Sequence, residues 1–585
     1  MNDIASNWMA RIFDPAWLMG PIFDKELRVS SRRRRNYVLR FAYVSLFTFF
    51  LALMWVDVVA YSASSVYMSS RMAMAGLSVI TFIVWFQFLT AQVIAIVMLS
   101  TSISDEIYNR TLGVLMTTPI GSTQIVLGKL FSKLLQVVLL LAISLPLLAI
   151  VRVFGGVPWG HLVCSLCVTL TTVIFIGSLS LFFSIFTRRA YVVIIVTILT
   201  LAFLFALLPL LVAFLAYYPT QPSPKFVDML SYVNPYFIMT IESGALFAAA
   251  PPGVGNWPIH CVVMLGASAL LLLLATIVVR KVALRQATGQ TGLWRARGKG
   301  KAQGDSDAGG SVRRVVGPPV LWKERRMPVL GRRKIVAVIG ILLLVGTLFL
   351  TYQLCAMIGA LESRDTQTGY VIIFTGIGML FTVIVPATCI TSERESRAWP
   401  LLLTTTVSDW EILGSKFLGA VYRCLPAWAL LFGHVTVFAI AGMIHPVALL
   451  QLGILVAWIV IFLSGTGLYF STRFRHTTTA VIANMALAAG LWAIFPLLLG
   501  LILAVAKAGD GLLELYVDTN PFVHAGVIAA ATSNQGRLAA YSWMQGGITD
   551  LAGATGWIVL TFIIYVALAV VFLLIARLRL RLNPF

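Results

Sequence analysis

Runs of about 20 apolar residues recur along the whole chain, and a helix of that length crosses roughly 30 Å of hydrocarbon. The 585 residues are 59% hydrophobic and only 11% charged, with a mean hydropathy of +0.93. A soluble domain carries about 25% charged residues. With so few charges it would expose wide apolar patches and aggregate, whereas a bilayer lets apolar side chains face lipid. The fold class implied is an all-α polytopic membrane protein.

The apolar pattern predicts twelve spans. In the first half they are 38–60, 74–102, 124–153, 162–186, 190–217 and 258–280; in the second, 335–357, 370–391, 410–443, 447–470, 477–506 and 554–577. The third span of each half carries a proline, Pro146 and Pro426, predicted to kink it. The implied organisation is an N-terminal interface helix (1–37), a first six-span unit (38–281), a basic linker with a second interface helix (282–334), a second six-span unit (335–578) and a short tail (579–585). The linker is rich in Gly, Ser and charge and has too little apolar surface to fold alone.

The net charge of +21 sits in short segments beside apolar spans. That distribution fits the positive-inside rule rather than nucleic-acid binding. Segment 281–335 holds fourteen Lys/Arg against three acids, and the first 40 residues hold eight against four. In 508–553, Arg537 faces Asp510, Glu514, Asp518 and Asp550. Both termini and the linker are therefore expected in the cytoplasm, which an even span number satisfies. Arg32, Arg33, Arg34 and Arg35 read as a topology determinant that also suits anionic headgroups. The first 36 residues have no apolar core, so no cleavable signal is predicted. The six cysteines lie in or beside spans; Cys164 and Cys167 form a C-x-x-C without a second pair, which reads as packing rather than metal binding.

The two halves match at separated landmarks. Pro21 to Arg28, with Lys25, Glu26 and Arg28, aligns with Pro319 to Arg326, with Lys323, Glu324 and Arg326. Glu106, Arg110, Leu115 and Thr118 align with Glu393, Arg397, Leu402 and Thr405, and Lys129 with Lys416. Phe183-Ser184 and Arg188 match Phe470-Ser471 and Arg475, and Asn234-Pro235 matches Asn520-Pro521. Six spans per copy give two parallel repeats.

The segment after the second span combines charges, a short amphipathic stretch, a Thr-Pro break and a plausible N-cap at Ser122. It resembles the first cytoplasmic loop of ABC-2 type transporter permeases, where E-x-x-x-G-T-L-E-x-L-L-x-T-P leads into a G-K at the next helix. Glu106, Thr111, Leu112, Leu115, Thr118, Pro119, Gly128 and Lys129 match; Arg110 replaces the glycine and Gly113 the second acid. In the second half Glu393, Leu402, Thr405 and Lys416 match, while Arg397, Pro400 and Thr406 replace glycine, acid and proline. The resemblance implies that these loops are coupling helices that dock on ATPase subunits. It implies that Lys25, Glu26, Arg28, Lys323, Glu324 and Arg326 belong to amphipathic interface helices. It further implies that Asn234, Pro235, Asn520 and Pro521 belong to short extracellular re-entrant elements. The chain would then be a pseudo-dimer in a bacterial-type cell membrane, with no need for a second copy of itself.

No G-x-x-x-x-G-K-[ST] occurs; Gly121 to Lys129 and Gly292 to Lys299 have the wrong spacing. ATP and Mg would therefore be bound by a partner, with no cofactor on this chain and no catalytic residues. H-E-x-x-H is also absent, and His434 reads as a packing residue. Span centres are almost free of charge, which disfavours an ion-coupled carrier. An ATP-independent carrier or a membrane scaffold is the competing reading.

Overall fold

A computed structural model describes residues 15–31, 68–108, 117–153, 158–186, 190–209, 232–247, 256–287, 317–326, 334–357, 359–506 and 509–581, except a few single residues, together with isolated positions in 37–52, 111, 115 and 229–230. It divides into two compact units, Met1–Ala302 and Gln303–Phe585. The described residues hold helices and no β-strand.

The first unit contains α1 (Pro15–Ser31), α2 (Met68–Ser100), α3 (Ser104–Tyr108), α4 (Ser122–Val153), α5 (Trp159–Phe186), α6 (Ala190–Ala202), α7 (Pro235–Phe247) and α8 (Trp257–Ala287). The second contains α9 (Pro319–Arg325), α10 (Lys334–Met357), α11 (Arg364–Ala387), α12 (Thr391–Glu395), α13 (Trp399–Leu403), α14 (Asp409–Ile440), α15 (Val447–Arg473), α16 (Thr477–Ala489), α17 (Phe495–Ala506), α18 (Gly511–Val517), α19 (Pro521–Thr532) and α20 (Leu551–Arg579). Nine stretches among the described residues are long and apolar enough to span a bilayer. They correspond to the expected second, third, fourth and sixth spans of the first half and the second to sixth of the second. The expected fifth span is present as Tyr191–Ala206 and the seventh as Val345–Met357, both shorter. Most of the first span, with Arg32 to Arg35, lies outside the described residues. Pro426 lies inside α14, which continues through it.

Packing within each unit is by apolar and small residues. In the first, Leu99, Leu130, Leu134, Leu181 and Ala275 share one buried cluster that joins α2, α4, α5 and α8. In the second, a Cβ on Gly378 would sit 2.5 Å from Trp428, and one on Gly467 would sit 2.9 Å from the Ala387 backbone nitrogen. Glycine at these points lets α11 approach both α14 and α15 closely, as membrane helices without a hydrophobic driving force require. His434 is a packing residue: its Nδ1 lies 2.7 Å from the Tyr352 hydroxyl, among the rings of Tyr370, Phe374 and Phe438.

Each fifth span contains a π-helical turn, Phe203–Leu207 and Gly490–Ile494. The cause is a proline. Pro209 stands four residues after Phe205, and Pro496 four residues after Trp492. A proline has no N–H, so it leaves the carbonyl four residues earlier without its helical donor. An orphaned carbonyl in an apolar setting is costly. In the first unit the Asn234 side-chain amide donates to the Phe205 carbonyl at 2.7 Å; in the second, the Asn520 amide donates to the Trp492 carbonyl at 2.7 Å. The other end of each amide caps the helix that follows. Asn234 Oδ1 accepts from Tyr236 N at 3.0 Å and Asn520 Oδ1 from Phe522 N at 3.0 Å. Pro235 and Pro521 occupy the first position of α7 and α19, where a missing N–H costs nothing. The Asn-Pro pairs are thus helix starts tied to a broken span, not plain turns.

Asn520→Asp keeps the cap but removes the donor, and should destabilise the purified protein by about 1–3 kcal/mol. Adding Pro496→Ala restores an N–H at the orphaned carbonyl. The double variant should therefore recover part of the lost unfolding midpoint in detergent; equal midpoints for single and double variants would refute this account.

Candidate functional site: an ion-pair junction at one end of each unit

The third span of each unit begins with a buried lysine. In the second unit, Lys416 Nζ lies 2.6 Å from Glu324 Oε1 on α9 and 2.6 Å from Glu393 Oε1 on α12. Its side chain is fully buried. Lys323 Nζ reaches Glu393 at 2.7 Å, and Arg423 Nη2 reaches Glu324 Oε2 at 3.1 Å. Lys416 also donates to the Cys389 carbonyl at 3.3 Å, and Arg423 Nη2 to Cys389 Sγ at 2.8 Å. Helix α9 comes this close because α14 has Gly419 there; a Cβ would lie 2.5 Å from Glu324 Cβ.

The first unit repeats the arrangement more loosely. Lys129 Nζ lies 3.0 Å from Glu106 on α3 and 3.8 Å from Glu26 on α1, and Lys133 lies 3.3 Å from Glu26. Here the carboxylates are about a quarter exposed, against 2% and 7% in the second unit. The Thr111 hydroxyl donates to the Glu106 carboxylate. In each unit, one ammonium therefore joins three segments: the interface helix, the loop after the second span and the start of the third span.

Burial alone would raise the Glu106 and Glu393 carboxyls. At Glu106 the Lys129 ammonium and the Thr111 hydroxyl outweigh it; at Glu393 Lys416 and Lys323 do. At Glu26 burial is again overcome, by Lys133 and Lys129. All three groups therefore titrate below their ordinary value of 4.5. A carboxyl depressed in the folded state adds stability above its unfolded value and loses it as pH falls through the folded one.

The second loop is anchored at further points. Ser471 Oγ, at the end of α15, accepts from the Ile390 and Thr391 amides at 2.8 and 3.0 Å. Arg394 donates to the Thr472 carbonyl at 2.7 Å, and Glu395 accepts from the Thr477 amide and hydroxyl, both at 2.7 Å. Between α12 and α13 the chain reverses at Arg397, whose φ is 55°. Its amide bonds to the Arg394 carbonyl and that of Ala398 to the Glu393 carbonyl, the paired closure of a helix end that glycine normally makes. That is the physical demand behind a glycine at this position in the loop pattern.

Several sequence-predicted residues converge: Glu26, Glu106, Thr111 and Lys129 in one junction, and Lys323, Glu324, Glu393 and Lys416 in the other. Lys25, Arg28 and Arg326 are exposed, and the Lys25 charge also helps to hold the Glu106 carboxyl down. Thr118, Pro119 and Thr405 are exposed beyond the junctions, and Leu115 and Leu402 are half-buried. Arg110 and Leu112 fall outside the described residues. Lys133 and Arg423 also belong to the junctions, and the sequence pattern alone does not single them out. The available signal was their spacing, four residues after Lys129 and seven after Lys416, which keeps each pair on one helix face.

The helices and apolar spans define a multi-pass integral membrane protein. Residues 21–283 match the family model described as ABC-2 family transporter protein, so the first unit carries an ABC-2 family domain. The match ends within α8, and the second unit lies outside it. Comparison with curated proteins gives no match.

Lys416→Met strands two buried carboxylates and should cost about 3 kcal/mol or more. Lys129→Met leaves carboxylates that water can reach, and should cost about 1 kcal/mol. Thermal unfolding of each variant in detergent checks the order, and equal losses would contradict it. For the unaltered protein, the junctions' contribution should persist down to about pH 4.5 and fall away below it. Arg397→Gly relieves a left-handed backbone and should raise the unfolding midpoint, by about 1 kcal/mol of stability.

Proposed function

We propose that this chain is the membrane permease of an ABC exporter, its two units tandem copies, each engaged by a separate ATPase subunit at the loop after its second span. The observation that carries the reading is the pair of lysine-centred junctions. An ammonium bound to two carboxylates from different segments resists separation, because each parted charge would have to be rehydrated or left unpaired. A push on the loop is therefore delivered to the interface helix and the third span together. The surfaces that meet the ATPases are the exposed residues beyond the junctions. In the first unit these are Thr117, Thr118 and Pro119. In the second they are Leu401, 71% exposed, with Thr404, Thr405 and Thr406.

In this arrangement both termini and the linker are cytoplasmic, and α7 and α19 are the outer re-entrant helices. One chain supplies both halves of the path and requires no second copy. ATP and Mg bind on the partner subunits; this chain performs no hydrolysis. The span faces are apolar, which suits an amphipathic or lipid-like cargo.

The test is purification from native membranes in mild detergent followed by an ATPase assay. An ATPase subunit should co-purify, and Leu401→Ser should weaken its retention about fivefold, the equivalent of about 1 kcal/mol at a contact residue. The unfolding midpoint should not change, because Leu401 is exposed. Recovery of the permease without any ATPase would favour an ATP-independent carrier or scaffold and reject this proposal.

A further inference from the structure

Helix α9 uses its charges in two directions. Glu324 is turned inward, to Lys416 and Arg423. The next two residues, Arg325 and Arg326, are exposed. Neither has a carboxylate within ion-pair distance among the described residues. Each instead lies over an aromatic ring: Arg325 is 5.1 Å from the centre of Tyr422, and Arg326 is 3.9 Å from that of Trp322. A guanidinium held on a ring face keeps its in-plane N–H donors available, in the fork that fits phosphate oxygens.

Tyr422 also fixes where these arginines stand. It belongs to an exposed apolar stripe on α14 that includes Leu418, Leu425, Val437 and Ile440. In a spanning helix, an exposed apolar face is the face that meets acyl chains. Arg423, one residue after Tyr422, is buried and points to the junction. Arg325 therefore sits at the edge of the exposed apolar stripe, beside the level at which the buried charges of α14 begin.

The local charge balance is one-sided. Residues 311–334 hold eight Lys/Arg and a single acid, Glu324, which is spent inward. The first unit differs at this place. Its residue after Glu26 is Leu27, where the second unit has Arg325, so the paired arginines are a property of the second unit alone.

We propose that Arg325 and Arg326, stacked on Tyr422 and Trp322, form a binding seat for the phosphate of an anionic phospholipid whose acyl chains lie along the exposed face of α14. The proposal rests on the membrane placement of the chain and not on its direction of transport or its ATPase partners. The occupant is a lipid rather than a soluble anion, because the donors border an apolar stripe. A bound headgroup would neutralise the outer face of α9 while its inner face stays locked in the junction. That would fix the orientation of the interface helix at the bilayer surface.

The experiment uses the full chain in nanodiscs of phosphatidylcholine alone or with phosphatidylglycerol, read by unfolding midpoint and by native mass spectrometry of retained lipid. Phosphatidylglycerol should be retained and should raise the midpoint above that in phosphatidylcholine. The variant Arg325→Gln/Arg326→Gln should lower retention at least fivefold, as expected for loss of cations at a membrane surface. Arg475→Gln, an exposed arginine elsewhere in the unit, should leave it unchanged. The double variant should keep its midpoint in phosphatidylcholine, which separates lost binding from lost folding. Three results would overturn the proposal: equal retention of both lipids, full phosphatidylglycerol preference in the double variant, or the same loss in Arg475→Gln. Addition of inorganic phosphate to phosphatidylcholine discs tests the source of the anion, and a midpoint rise there equal to that with phosphatidylglycerol would overturn the lipid assignment.

Discussion

A lysine ammonium that enters an apolar helix bundle must bring its counter-charges with it. Lys416 does so with Glu324 and Glu393, each at 2.6 Å, and Lys129 with Glu106 and Glu26. Desolvating such a charge costs several kcal/mol, and close carboxylates offset that only while they stay in place. The junction therefore constrains everything attached to it. It sets the position of the interface helix, because Glu324 and Glu26 meet their cations, Lys416 with Arg423 and Lys129 with Lys133, only on the third span. It is tied to the fold of the loop, because Glu393 pairs with Lys416 through its side chain while its carbonyl accepts from Ala398 where the chain turns at Arg397. Gly419 follows from the same requirement, since any side chain there would hold Glu324 away from Lys416.

At the fifth spans the same logic applies to a neutral group. Pro209 and Pro496 remove a donor, the helix relaxes into a π turn, and an asparagine from outside the span supplies the missing hydrogen bond. One amide satisfies two needs, the orphaned carbonyl and the first free amides of the next helix. The span and the short helix after it are thereby made one mechanical piece in each unit. Both devices arise because the interior provides no water to repair an unpaired polar group.

The two units are alike in plan and unequal in detail. The first keeps the family's loop pattern more closely, yet its ion pairs are longer and more exposed. The second departs at Arg397, Pro400 and Thr406, yet its junction is tighter, gains Arg423 and Lys323, and is bound to α15 and α16 through Ser471, Arg394 and Glu395. Loss of pattern in the loop is therefore not loss of the junction. Arg397 and Thr406 lie in connecting turns and Pro400 in the first turn of α13, whereas the charged residues of the junction are retained.

Helical class and the places of most spans were legible in the sequence, because apolar run length is a local property that a bilayer reads directly. Glu106, Glu393, Lys129, Lys416, Glu26 and Glu324 could each be singled out from aligned positions. Their convergence could not, since Glu324 and Lys416 are separated by four helices, α10 to α13, and meet only when α9 packs on α14. The Asn-Pro pairs were visible, but their partners were not: which carbonyl Pro496 orphans follows from the chain, and which side chain repairs it depends on how α19 folds against α16. The sequence by itself determined where helices must lie and which charges had to be accommodated. The tertiary structure decided which charges share a site, because a buried charge needs opposite charges close by and packing selects which ones are within reach.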